Sequence, residues 1–133
     1  MSAKLIYADS SALVKLVLDE HESDDLRRFL ADTKAALVTS VLAEIEVSRA
    51  VRVANLDLLG ECSRLLSSCI RITVSGAIIR RATALASGRL PTLDAIHLAT
   101  ALRADIDTVV AYDGRLTESA QAAGLSTASP GAR

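Results

Sequence analysis

Five short apolar runs separated by helical stretches constrain this chain more than any other feature. The runs cover residues 4–8, 36–39, 70–74, 108–112 and, more weakly, 125–127. The first, second and fourth are largely continuous rather than alternating, the mark of strands buried on both faces of a parallel sheet. Helical periodicity fills the intervals at 11–18, 23–31, 41–54, 56–66, 75–87 and 93–103. In the second of these, Leu26, Phe29 and Leu30 share one face, and Ser75 reads as the cap of the fifth. Strand–helix alternation predicts a three-layer α/β/α sandwich around a mostly parallel, roughly five-stranded sheet. With 133 residues and 14.0 kDa, the expectation is one domain over residues 1–128 and a flexible tail over 129–133.

On such a sheet the carboxyl ends of the strands and the starts of the following helices share one edge, where open α/β proteins place their sites. Four acids fall there. Asp9 closes the first run and Asp113 the fourth, Glu44 lies in the first turn after the second run, and Asp94 opens the helix at 93–103. Each has an ordinary alternative. Asp9 can cap a helix, Glu44 and Asp94 can complement a helix dipole, and Asp113-Gly114 can form a tight turn. Gathered on one edge, however, two carboxylates about 4 Å apart repel by about 4 kcal/mol at an effective dielectric near 20. Arg115 is the only basic residue beside any of the four in sequence, so a divalent cation is the expected relief. Carboxylate oxygens, without cysteine and with only His21 and His97 as possible nitrogen donors, suit Mg²⁺, with Mn²⁺ as a substitute. A cation held this way suggests phosphodiester hydrolysis. Ser10, Ser11, Thr39 and Ser40 flank the acids as donors that orient them, with helix capping the alternative for Ser11 and Ser40. His97, three residues after Asp94, reads either as a packed support or as a catalytic group.

Composition narrows the setting. Half the residues are hydrophobic and mean hydropathy is +0.33, which fits either an alanine-rich core or an apolar partner surface. No run approaches the ~18 apolar residues of a membrane span. Asp9 and Lys15 break the only stretch resembling a leader. Cys62 and Cys69 form no metal-binding pattern and read as reduced thiols, so a cytoplasmic protein is expected. Net charge is −1, and setting the four acids aside leaves +3, so charge neither excludes nor requires nucleic acid. Lys15, Arg49, Arg89 and Arg115 are candidates for phosphate contact or simply solvated charges.

The segments Tyr7-Ala8-Asp9-Ser10-Ser11-Ala12-Leu13-Val14-Lys15, Ala43-Glu44-Ile45-Glu46, Leu93-Asp94-Ala95-Ile96-His97-Leu98-Ala99-Thr100-Ala101 and Ala111-Tyr112-Asp113 together resemble a PIN-domain ribonuclease of the VapC toxin type. The resemblance spans nearly the whole chain. It implies a metal-dependent endoribonuclease acting as the toxin of a type II toxin–antitoxin pair, which stops translation by cutting RNA, often tRNA or rRNA. It further implies Asp9, Glu44, Asp94 and Asp113 as the acidic quartet, with Asp9 and Asp94 as direct ligands, a VapB-type antitoxin partner and a homodimer. Glu44, nearer the strand edge than Glu46, is taken as the pocket glutamate. Two other classes compete. A phosphoacceptor domain needs a late lysine, and none follows Lys34. A non-catalytic RNA-binding module needs stacking aromatics, and only Tyr7, Phe29 and Tyr112 exist.

Overall fold

In the computed structural model, which describes residues 4–85 and 88–133, the sheet has five strands in the order β3-β2-β1-β4-β5, all parallel. The strands are β1 (Leu5–Ala8), β2 (Ala36–Ser40), β3 (Ile70–Ile72), β4 (Thr108–Val110) and β5 (Ser126–Ala128). Among the described residues seven helices accompany them: α1 (Ser10–Lys15), α2 (Ser23–Thr33), α3 (Leu42–Ala54), α4 (Leu59–Ser68), α5 (Gly76–Thr83), α6 (Thr92–Arg103) and α7 (Gly114–Ala122). A 3-10 turn at Leu56–Leu58 leads into α4.

The pleat of β1 divides the core in two. Ile6 and Ala8 face a cluster with Leu13, Leu26, Val47, Val51, Cys62 and Leu66 from α1 to α4. Tyr7, on the opposite face, packs with Val38, Leu98, Ala101, Val109, Leu116 and Ala120, which come from the sheet, α6 and α7. The period of two along the strand therefore builds the expected three layers. Cys62 and Cys69 are buried free thiols.

Strand order also fixes where a site can form. From β1 the chain winds outward through β2 and β3, then crosses back to β4 and β5 on the other side. The switch lies between β1 and β4, and the crevice beyond their carboxyl ends is the usual ligand position in such sheets.

The sequence left out one element. Asp113-Gly114, read as a tight turn, instead starts α7. Asp113 is extended (φ −85°, ψ 120°) and its Oδ1 accepts from the N–H groups of Arg115 and Leu116. Leu116 and Ala120, one turn apart, are both buried, a pattern compatible with a helix that the Asp-Gly pair concealed. Ser75 caps α5 through the Ile78 N–H, and that helix ends at Thr83, while Ala86 and Ser87 of the expected span lie outside the described residues. The stretch expected as a tail is drawn against the domain. Ser129 Oγ donates to the Ala111 carbonyl, and the Tyr112 hydroxyl donates to the Pro130 carbonyl at 2.7 Å. Gly131 adopts φ 80°, and a Cβ there would stand 2.7 Å from Asp25 Oδ2. Among the described residues no helix is long and apolar enough to cross a membrane.

Candidate metal centre at the sheet switch

Asp9 follows β1 at the switch and is 3% exposed. Its N–H donates to the Val110 carbonyl of β4 at 3.3 Å. It caps α1, with Oδ1 accepting from the Ser11 hydroxyl at 2.7 Å and the Ala12 N–H at 3.1 Å. Ser11 Oγ in turn accepts from the Tyr112 N–H at 2.9 Å, stitching the end of β1 to the end of β4. The Thr39 hydroxyl donates to the Ala8 carbonyl at 2.7 Å, tying β2 to the same corner. Capping, the ordinary reading of Asp9, is thus correct, yet it occupies only one of the two carboxylate oxygens.

Asp94 stands in the first turn of α6 and Asp113 at the cap of α7. Burial raises the Asp94 pKa most, and the negative charges of Asp113 and Glu46 raise it further against the pull of His97 and Arg115. Burial lifts Asp9 to about 6, resisted by Ser11, His97 and Ala12 and reinforced by Asp94. The charge of Asp94 thus reaches Asp9, and those of Asp113 and Glu46 reach Asp94.

Glu44 is not part of this set. Its side chain is 44% exposed and forms an ion pair with Arg71 of β3 at 2.5 Å. Glu46 takes the inward position, where Oε1 accepts from the Ser10 hydroxyl at 2.7 Å and from His97 Nε2 at 2.8 Å. Burial alone would raise the Glu46 pKa, but the hydrogen bonds from His97 and Ser10 hold it below the ordinary range. Residues two apart on a helix point in nearly opposite directions, about 200° around the axis. Closeness to the strand edge was therefore the wrong criterion. The buried residues of α3, Ala43, Val47 and Val51, do not separate the two glutamates, since Glu44 adjoins Ala43 as Glu46 adjoins Val47; the partners from other elements, His97 and Arg71, do.

The donor chemistry fits a hard divalent cation. Asp9, Glu46 and Asp113 each have one oxygen filled by protein donors. No fully buried polar side-chain atom lacks a partner among the described residues, so the remaining oxygens keep some access to solvent. Glu46 and Asp113 line that cleft together with Ser10, Ser11, Lys15 and Tyr112, around about 510 Å³. Among the described residues no three His, Cys, Asp or Glu side chains form a closed metal cage. Mg²⁺ does not require one, because it keeps several waters and uses one or two carboxylates. His97 is 1% exposed and both ring nitrogens face protein partners, which removes it from the ligand set.

The basic candidates divide. Lys15 is committed to Glu22 at 2.8 Å and lies 4.7 Å from the Tyr112 ring centroid. Arg89 and Arg115 line a larger groove of about 680 Å³, with Arg81, Leu98 and Leu102. This groove runs between α6 and α7, beside the acids rather than over them.

A family model described as the PIN domain matches residues 6–121, and the chain belongs to that family. Among curated relatives, it is 40% identical over 132 residues to Ribonuclease VapC35 of Mycobacterium tuberculosis, covering 96% of this chain and 98% of that protein. It is 39% identical over 127 residues to Ribonuclease VapC46 of the same organism, covering 94% and 97%. Among solved structures, the Mycobacterium tuberculosis toxin VapC20, described as cleaving the sarcin–ricin loop, superposes with TM-score 0.75 at 19% identity over 94% of this chain and 99% of that one. FitAcB from Neisseria gonorrhoeae gives 0.71 at 15% identity over 94% and 97%. These structures share the fold. Ribonucleases of this family depend on metal in general.

Proposed function

We propose that this protein is a Mg²⁺-dependent endoribonuclease, the toxin of a toxin–antitoxin pair, which arrests translation in the cytoplasm by cutting a structured RNA such as tRNA or rRNA. The observation that carries this reading is the convergence of Asp9, Glu46, Asp94 and Asp113 at the β1/β4 switch, three of them with one oxygen unclaimed by the protein. Membership of the PIN family and the names of the relatives support the same chemistry.

A bound divalent cation supplies a Lewis acid and a water of lowered pKa. Asp9, Asp94 and Glu46 would hold it, and Asp113 at the mouth would accept a proton from water. Arg115, whose Nε lies 3.8 Å from Asp113, and Arg89 beyond it position phosphates along the groove. The 2′-hydroxyl is not the nucleophile, so products carry 5′-phosphate and 3′-hydroxyl ends. The outer face of α3 and the turn after it leave Ile45, Val53 and Leu56 exposed at 60%, 89% and 59%. This apolar surface supports a homodimer and a VapB-type antitoxin as partners.

Mapping of RNA 5′ ends after induced expression, comparing wild type with Asp94→Asn, tests the reading. New ends that appear only with wild type are expected. The same ends from the variant would overturn it.

A further inference from the structure

Glu46 is held by more than its own helix. Its Oε1 receives the Ser10 hydroxyl from α1 and His97 Nε2 from α6, on the other side of the sheet. Ser10 Oγ also lies 3.4 Å from that same Nε2. The second ring nitrogen, Nδ1, lies 2.6 Å from the hydroxyl of Tyr7 in β1. The two rings meet edge-on, with centroids 5.8 Å apart and planes at 68°. Tyr7 is 0% and His97 1% exposed, so solvent does not compete for either nitrogen.

The direction of the bonds follows from the donors available. A tyrosine phenol carries its hydrogen at neutral pH, and that of Tyr7 lies within hydrogen-bond reach of Nδ1 alone among the ring nitrogens. A phenol that keeps its hydrogen donates it to Nδ1. The ring hydrogen then sits on Nε2 and is donated to Glu46, because each nitrogen of a neutral imidazole takes one role.

We infer that His97 is a positioning residue for Glu46: the Tyr7–His97 pair and Ser10 together occupy Oε1 and leave Oε2 as the open oxygen for a divalent cation. The inference rests on the nuclease reading above. One hydroxyl donor would let the carboxylate swing about its terminal torsion. A second donor from the opposite layer, itself anchored by a buried phenol, fixes the plane of the carboxylate. Partners of this kind, behind a metal-binding carboxylate, typically change metal affinity or activity by about 10–100-fold when removed. A histidine that merely filled space would need neither a phenol at 2.6 Å nor a carboxylate at 2.8 Å.

The test is Mn²⁺ affinity of the full-length protein, read by electron paramagnetic resonance of the free ion. Wild type is compared with His97→Leu, His97→Gln and Tyr7→Phe, with folding checked by circular dichroism. His97→Leu is expected to weaken Mn²⁺ binding by about tenfold or more. His97→Gln, which keeps an N–H donor, recovers most of the affinity, and Tyr7→Phe falls between. With an RNA oligonucleotide, KM stays near the wild-type value while kcat at limiting metal falls. A folded His97→Leu that binds Mn²⁺ like wild type overturns the positioning role and leaves the nuclease reading intact. Wild type that binds no Mn²⁺ overturns both. Should His97→Leu not fold, ¹⁵N NMR of the wild-type imidazole decides: a protonated Nε2 with a bare Nδ1 supports the role, and the reverse tautomer overturns it.

Discussion

Ser11 accepts a hydrogen bond from the Tyr112 N–H at 2.9 Å while its hydroxyl donates to Asp9 at 2.7 Å. A residue 101 positions away in sequence thus sets the orientation of the buried carboxylate. Ser11→Ala removes both bonds and leaves the Tyr112 N–H without its acceptor. The expected loss of stability is about 1–3 kcal/mol, with RNA cleavage falling as Asp9 loses its orientation. Urea unfolding measured beside cleavage of one RNA oligonucleotide checks this, and an unchanged midpoint would show that the bridge contributes nothing.

The two glutamates of α3 should separate cleanly. Glu46→Gln is expected to reduce cleavage by about tenfold or more. Glu44→Gln disrupts only a partly exposed pair with Arg71 and should cost less than about 1 kcal/mol in stability, with near-normal cleavage. Parallel cleavage assays decide, and the opposite ranking would return Glu44 to the site.

Stability should depend on pH through the acids in an unusual direction. Asp9 titrates at about 6 in the folded chain against an ordinary 3.8, and Asp94 is also raised. Between those values the folded state binds more protons than the unfolded one, so this contribution falls as pH rises from about 4 to about 6 and stays lost above. For Asp9 the ceiling is roughly 3 kcal/mol. Glu46 is lowered and works the other way, losing its contribution as pH falls below the ordinary glutamate value. In EDTA at pH 7.5, Asp9→Asn should therefore melt higher than wild type. Mg²⁺ should raise the melting temperature of wild type and not that of Asp9→Asn. Thermal melts with and without EDTA test both statements, and a lower-melting Asp9→Asn would contradict the burial argument.

Gly131→Ala should release the end of the chain. At φ 80° an added Cβ would meet Asp25 Oδ2 at 2.7 Å and the Glu22 backbone at 3.2 Å. Faster amide exchange at residues 129–133 is the expected readout, with little change in the global melt. Exchange unaltered from wild type would mean that these residues are not held against α2.

The fold was legible because continuously apolar strand runs such as Leu5–Ala8 require cover on both faces, and the spacing between them left room for helices. What escaped was decided by orientation. Asp113-Gly114 carries the same local signal in a turn and at a helix start, and only the burial of Leu116 and Ala120 against the sheet distinguishes them. Of the two glutamates of α3, Glu44 pairs with Arg71 at the partly exposed edge, whereas Glu46 bonds the buried His97. That division turns on His97 of α6 and Arg71 of β3, partners distant from α3 in sequence. The Tyr7–His97 contact joins positions 90 apart, and no short-range pattern reports such a meeting.

Strand order has a consequence for the newborn chain. Asp9 and Glu46 leave the ribosome early, whereas Asp94 and Asp113 arrive with α6 and the end of β4, after about two-thirds of the residues have been made. A half-synthesised polypeptide therefore carries at most half of the acidic wall and lacks the His97 and Tyr112 N–H groups that complete its orientation. On the nuclease reading, the cell meets a cutting edge only once the second layer has closed over the sheet, so completion of folding is itself the safety catch.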